Sequence, residues 1–239
     1  MRKLFKLIII LAILGGIGYV IYSNNFAMTL VFKADNAKAV TVINDALADH
    51  VAWDYYEIDV VTQDTNSDTD ESLKVEASLK IVELEDDSYE FTATVKETEG
   101  TTVTEYESYY KEGIYYINNE GSQTWFTATI AETMTSIFGS AGGAIFPLTG
   151  EPIEESDFTA IDVEFGYSFF PLYVGQKFNL TNALYSATVE VDFLGNLRVR
   201  NMSSTLGFIT RSIKTKFVSV NKELTLVFPT DLDTYSEAI

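Results

Sequence analysis

Residues 73–81 read Leu-Lys-Val-Glu-Ala-Ser-Leu-Lys-Ile, and residues 89–96 read Tyr-Glu-Phe-Thr-Ala-Thr-Val-Lys. Apolar and polar side chains alternate with a period of two in both, so each is a strand with one face toward a core and the other toward water. Leu73, Val75, Ala77, Leu79 and Ile81 form the inward set of the first, and Tyr89, Phe91, Ala93 and Val95 that of the second. Glu85-Asp86-Asp87-Ser88 between them supplies a turn, which makes the pair an antiparallel hairpin.

The same period extends in both directions. Upstream, Tyr56, Ile58 and Val60 oppose Glu57 and Asp59. Downstream, strands are expected over 103–110 and 114–117, with turns at Lys111-Glu112-Gly113 and Asn118-Asn119-Glu120-Gly121. Alternation resumes with Tyr185, Ala187, Val189, Val191 and Phe193, reverses at Leu194-Gly195-Asn196, and is expected to run on through 213–220 and 224–228. Residues 144–182 hold three prolines and aromatic clusters without a clean period, apart from the alternating Asp162 and Glu164.

Two stretches carry the helical period instead. Val40, Ile43 and Leu47 recur within 35–49, with Asp35 or Asn36 as N-cap. After Trp125, the residues Ile130, Met134, Ile137 and Phe138 share one face, and the run stops at Gly139-Ser140-Ala141-Gly142-Gly143. The fold class is therefore α+β: a large antiparallel sheet with two helices.

The chain opens differently. Arg2, Lys3 and Lys6 precede an uncharged run over 7–22, close to the roughly 20 apolar residues that a bilayer-spanning helix needs. Residues 1–24 read as an uncleaved membrane anchor or a cleaved signal peptide, with the poor small-residue site near Asn25 and Ala27 favouring the anchor. Positive charge stays inside, so residues 25–239 are expected as one extracytoplasmic domain, at the cell membrane if anchored and secreted if cleaved. The absence of cysteine excludes a lipid-modified cysteine and a disulfide scaffold. After Lys6 there are 13 basic residues against all 35 acidic ones. Such a surface is repelled by nucleic acid, which is not expected as a partner.

Helix, meandering strands, the segment from Tyr109-Tyr110-Lys111-Glu112-Gly113 through Ile114-Tyr115-Tyr116-Ile117 to Trp125, a short helix, the turn at Phe193-Leu194-Gly195-Asn196-Leu197 and a last strand into Phe228-Pro229 follow in that order. This order resembles the LolA/LolB-type envelope lipoproteins over most of residues 35–235. The resemblance implies a half-barrel closed by helices around a cavity for acyl chains or another apolar ligand. The chain departs from those lipoproteins in lacking the anchoring cysteine.

No constellation for catalysis stands out, and the expectation is a non-enzymatic protein without a cofactor or metal. His50, the single histidine, reads as a helix-end residue beside the backbone carbonyls. Asp64-x-Asn66-x-Asp68-x-Asp70 begins like a calcium loop, but Thr69 stands where the turn needs Gly and Val75 where a bidentate Glu belongs, so a solvated turn is expected. Glu154, Glu155 and Asp157 are carboxylates that so acidic a chain produces by chance. At the centre of the sheet Leu47, Tyr56, Ile58, Leu79, Phe91, Met134 and Ile137 either pack into a filled core or line a ligand cavity of order 300–1,000 Å³. Ala77, Ala93 and Ala187 leave room on the inward faces. The alternative is an interaction or sensory module that meets an envelope protein through sheet edges and aromatic patches.

Overall fold

The computed structural model describes residues 28–32, 36–85, 88–142, 152–169 and 172–238. The expected anchor over 1–24 lies outside them. Among the described residues no helix is long and apolar enough to cross a membrane.

Thirteen strands form one sheet. In chain order they are β1 (Met28–Phe32), β2 (Tyr55–Asn66), β3 (Glu71–Glu83), β4 (Tyr89–Glu99), β5 (Thr102–Lys111), β6 (Ile114–Asn119), β7 (Ser122–Thr127), β8 (Ala160–Phe169), β9 (Leu172–Thr181), β10 (Tyr185–Asp192), β11 (Leu197–Leu206), β12 (Ile209–Val220) and β13 (Ser236–Glu237). Their order across the sheet is β1-β8-β9-β10-β11-β12-β2-β3-β4-β5-β6-β7-β13. All neighbours are antiparallel except β13, which runs parallel to β7. The central hairpin pairs as its alternation requires, with Leu79 opposite Ala93 and Ile81 opposite Phe91. The β5–β6 turn has both Glu112 and Gly113 at positive φ, 52° and 78°, which is the two-residue geometry that suits the twist of a hairpin.

Among the described residues two helices cover one face of this curved sheet. Helix α1 (Asn36–Val51) buries Ala39, Ile43, Ala46, Leu47 and His50, one stripe at i, i+4, i+7, i+8 and i+11. Helix α2 (Ile130–Phe138) starts with a capping box: Thr129 accepts from the Glu132 N–H, and the Glu132 carboxylate accepts from the Thr129 N–H at 2.8 Å. The bonds this carboxylate accepts from the Thr129 N–H and the Thr129 hydroxyl hold it below the usual range. The helix buries Thr133, Met134, Ile137 and Phe138 and ends at Gly139, whose φ is 59°. Gly142 then folds back on the helix so closely that a Cβ there would stand 2.4 Å from the Met134 carbonyl oxygen, which excludes any larger residue.

The paired tyrosines are divided between the faces. Tyr110 and Tyr115 lie inside with Phe91, at ring-centroid distances of 5.8 and 6.4 Å. Tyr109 and Tyr116 lie outside, where the C-terminal segment covers them: Phe228 meets Tyr109 at 6.5 Å and Tyr235 meets Tyr116 at 5.8 Å.

One unread stretch resolves and three expectations are corrected. Residues 160–169 and 172–181, without a clean period in sequence, are the strands β8 and β9. Residues 224–228 pair with no strand among the described residues; they run over the outer face, and the last strand is the two-residue β13. Phe193 is not inward but 72% exposed in the β10–β11 turn. Asn36 is the first residue of α1 rather than its cap, and Asp35 lies outside the described residues.

Candidate functional site

Open space on the helical face lies to one side of the centre, between α1 and strands β9 to β12. Its volume is about 190 Å³. Ile43 and Leu47 form the roof, at helical spacing on the buried stripe of α1. Ile153 and Phe158 close one wall from the segment before β8. The side-chain amide of Asn44 holds this segment: it donates to the Ile153 carbonyl and accepts from the Ile153 N–H, both at 2.9 Å. The Phe158 ring meets Tyr185 edge-on at 6.4 Å. The floor is sheet, built from the inward sides of Leu180, Ala187, Met202 and Ile213, which stand opposite one another in a single cross-strand row.

The next row contains the site's charge. Phe178, Val189, Arg200, Thr215 and Val60 stand side by side across β9, β10, β11, β12 and β2. Arg200 is half-buried and borders the cavity, and burial pulls its guanidinium below the ordinary value. A guanidinium still carries its charge after such a shift. Its inward direction comes from a bulge. In the β10–β11 ladder Glu190 pairs with Val199 and Val191 with Leu197, so Arg198 is the extra residue. Leu197 is fully buried; beyond the bulge the parity reverses, putting Val199 on the outer face opposite Lys216 and Arg200 on the inner face opposite Thr215.

Asp192 holds the bulge in place. Its carboxylate accepts from the N–H groups of Leu194 and Asn196 at 2.9 Å and from Arg198 Nε at 2.8 Å. Burial pushes this carboxyl up, but the bonds from Asn196, Arg198 and Leu194 outweigh it and keep the group below the usual carboxylate range.

Of the seven residues expected to line a central cavity, Leu47 borders this one. Tyr56, Ile58, Leu79, Phe91, Met134 and Ile137 are brought together with it in a continuous core, each no more than 3% exposed. Ala77 and Ala93 are likewise buried, and of the three small residues Ala187 alone borders this cavity. Sequence reading did not single out Arg200, because strict alternation through Leu197-Arg198-Val199-Arg200 sends both arginines outward.

The other candidates resolve simply. His50 sits in the last turn of α1, fully buried among the rings of Trp53, Tyr56 and Phe217 at 4.6 to 5.3 Å. Asp64 is engaged by Arg211 across the β12–β2 ladder, Nε to Oδ1 at 2.7 Å, and Asn66 accepts from the Asp68 N–H within the turn. Asp157 bonds the Glu154 N–H in an exposed 3₁₀ turn that also contains Glu155. A wider depression of about 740 Å³ beside the β3–β4 and β5–β6 turns is lined by Glu90, Glu112 and Glu132 among others, a poor wall for an anionic guest.

No family model matches the chain, and no curated protein matches it. Among solved structures it is similar to LprF from Mycobacterium bovis, at 11% identity and a TM-score of 0.38, over 77% of this chain and 95% of that one.

Proposed function

We propose that the chain is a non-enzymatic, extracytoplasmic binding protein of the LolA kind, tethered by residues 1–24, that holds a small apolar ligand between α1 and β9 to β12. The observation that carries this reading is the cavity itself: Ile43, Leu47, Ile153, Leu180 and Met202 present apolar walls where a helix-on-sheet domain normally packs shut. Mostly apolar walls with a few polar groups are the usual lining of a site for an apolar guest. The full-length chain, purified from its own membrane and extracted with organic solvent, is expected to yield a bound single-chain amphiphile by mass spectrometry. Ala187→Phe fills the space and should abolish that recovery without unfolding the sheet. An empty extract from the parent chain, or equal recovery from the filled variant, overturns the reading.

A second reading is an interaction module that meets another envelope protein. It is favoured by apolar side chains at hairpin tips on one end of the sheet: Leu184 is 78% exposed, Leu206 86% and Phe208 64%. Exposed apolar residues clustered in this way mark contact surfaces. Gel filtration of the detergent extract, with Leu206→Ser/Phe208→Ser as comparison, tests it; a partner that co-elutes equally with both chains contradicts it.

A further inference from the structure

We propose that the β10–β11 turn is a second membrane contact: Phe193 and Leu194 enter the interface of the bilayer that holds residues 1–24 and fix how the domain stands on it. This rests on the tether proposed above and is independent of the ligand.

The strand register sets the geometry. Met28, the first residue of β1, stands opposite Tyr167 of β8, and Tyr167 opposite Val174 of β9. One residue on, Gly175 stands opposite Asp192, the last residue of β10. Because β1, β8, β9 and β10 are successive neighbours, Met28 is level with Phe193, the first residue of the turn, at three strand spacings or roughly 14 Å. The chain thus enters the sheet at the end where this turn leaves it. Between Tyr22, the last residue of the uncharged run, and Met28 lie only residues 23–27. Six steps of fully extended chain reach at most roughly 22 Å. A tether of that reach keeps this end of the sheet beside the lipid surface. The opposite hairpin ends, at Leu184 and Leu206, lie roughly 30 Å further along the strands.

What this end presents is apolar. Phe193 is 72% exposed and Leu194 70%. Turns ordinarily carry Gly, Pro, Asn, Asp or Ser, so two large apolar side chains side by side in water run against turn chemistry. The turn holds them firmly: the Asp192 carboxylate accepts from the N–H groups of Leu194 and Asn196, and the Asp192 N–H donates to the Asn196 carbonyl, all at 2.9 Å. Residues 193–196 carry no charge, and Arg198 pairs with Asp192 beside them at 2.8 Å. Phe169 and Leu172, paired at the ends of β8 and β9, add two apolar residue types two rows further in the same direction. Aromatic and aliphatic residues of this kind settle at the headgroup level of a bilayer. With 13 basic residues against 35 acidic ones beyond Lys6, anionic lipid offers no attraction, and burial of apolar surface carries the contact. Apolar tips stand at the far end of the sheet too; the tether decides which end meets lipid.

The chain has no cysteine, so one introduced cysteine takes one label. Full-length Leu194→Cys and Leu206→Cys, each carrying an environment-sensitive fluorophore, are reconstituted in phosphatidylcholine vesicles with and without nitroxide on the acyl chains, then floated on a density gradient. Leu206, 86% exposed, controls for the label's own affinity for lipid. The label at 194 is expected to shift to the blue and to lose at least about half of its emission to the nitroxide, while the label at 206 stays unquenched. Adding Phe193→Ser to the first chain should restore most of the emission. Labels quenched alike at 194 and 206, or quenching at 194 that Phe193→Ser leaves unchanged, overturn the contact. A chain that floats with neither label quenched also overturns it and leaves the tether standing. A chain that does not float overturns the tether and this inference with it.

Discussion

The side-chain amide of Asn44 closes two hydrogen bonds of 2.9 Å on the backbone of Ile153, 109 residues away. A single polar side chain on α1 thereby satisfies both backbone groups of a segment that has no ladder of its own, and sets Ile153 against the cavity. Asn44→Leu strands a part-buried N–H and C=O and should cost about 1–3 kcal/mol in urea unfolding. Asn44→Asp keeps the acceptor for the Ile153 N–H but loses the donor, so its loss should be intermediate. If both variants unfold with the parent, the clamp does not hold the wall.

The inward and outward sets of β3 can be separated experimentally. Val75 is 4% exposed on the helical face, whereas Lys74 next to it pairs at the surface with Glu76 at 2.8 Å. Val75→Asp buries an unpaired carboxylate and should cost several kcal/mol, on the order of 3–5. Lys74→Ser removes a solvent-screened pair and should cost less than about 1 kcal/mol. Chemical denaturation of both variants decides it; comparable losses would mean that the register of β3 against β4 is not the one described.

Much of the architecture was legible because one periodicity dominated. From 73 to 99 each strand has a single buried side and a marked turn, so period, breakers and faces agree. Where both faces are covered, the signal fades. Tyr109 and Tyr116 are covered outside while Tyr110 and Tyr115 are covered inside, so the doubled tyrosines carry no alternation. Residues 224–228 look like a strand because their alternation is real, but it reflects packing of the C-terminal segment on the outer face rather than a ladder. The cavity's charge was illegible for a sharper reason: one extra residue at Arg198 inverts the parity on which strand reading depends.

The C-terminal segment is expected to contribute to stability out of proportion to its two-residue strand. Tyr235 is 5% exposed against Tyr116, and Ala238 N–H donates to the Trp125 carbonyl at 2.8 Å, just beyond the β13–β7 pairing. Tyr235→Ala should cost about 3 kcal/mol by loss of burial. Phe193→Ala, at a ring that is 72% exposed, should change stability by less than about 0.5 kcal/mol. Thermal unfolding of the two variants provides the comparison, and an unchanged transition for Tyr235→Ala would show that the segment merely rests on the sheet.

The pH dependence of the β10–β11 turn follows from Asp192. Burial disfavours its charge, yet the donors on Asn196, Arg198 and Leu194 win, so the folded chain holds this carboxyl below the ordinary Asp value of 3.8. A depressed folded value means that the unfolded chain takes up the proton first. The stabilisation is therefore complete above the unfolded value and is lost as pH falls through the folded one. Asp192→Asn, which keeps the shape but removes the charge-assisted acceptor, should be less stable than the parent by about 2 kcal/mol near pH 7. Urea midpoints taken from about pH 6 down to about pH 2 should bring the two proteins together as the parent's carboxylate is protonated. A gap that stays constant over that interval would assign the loss to shape rather than charge.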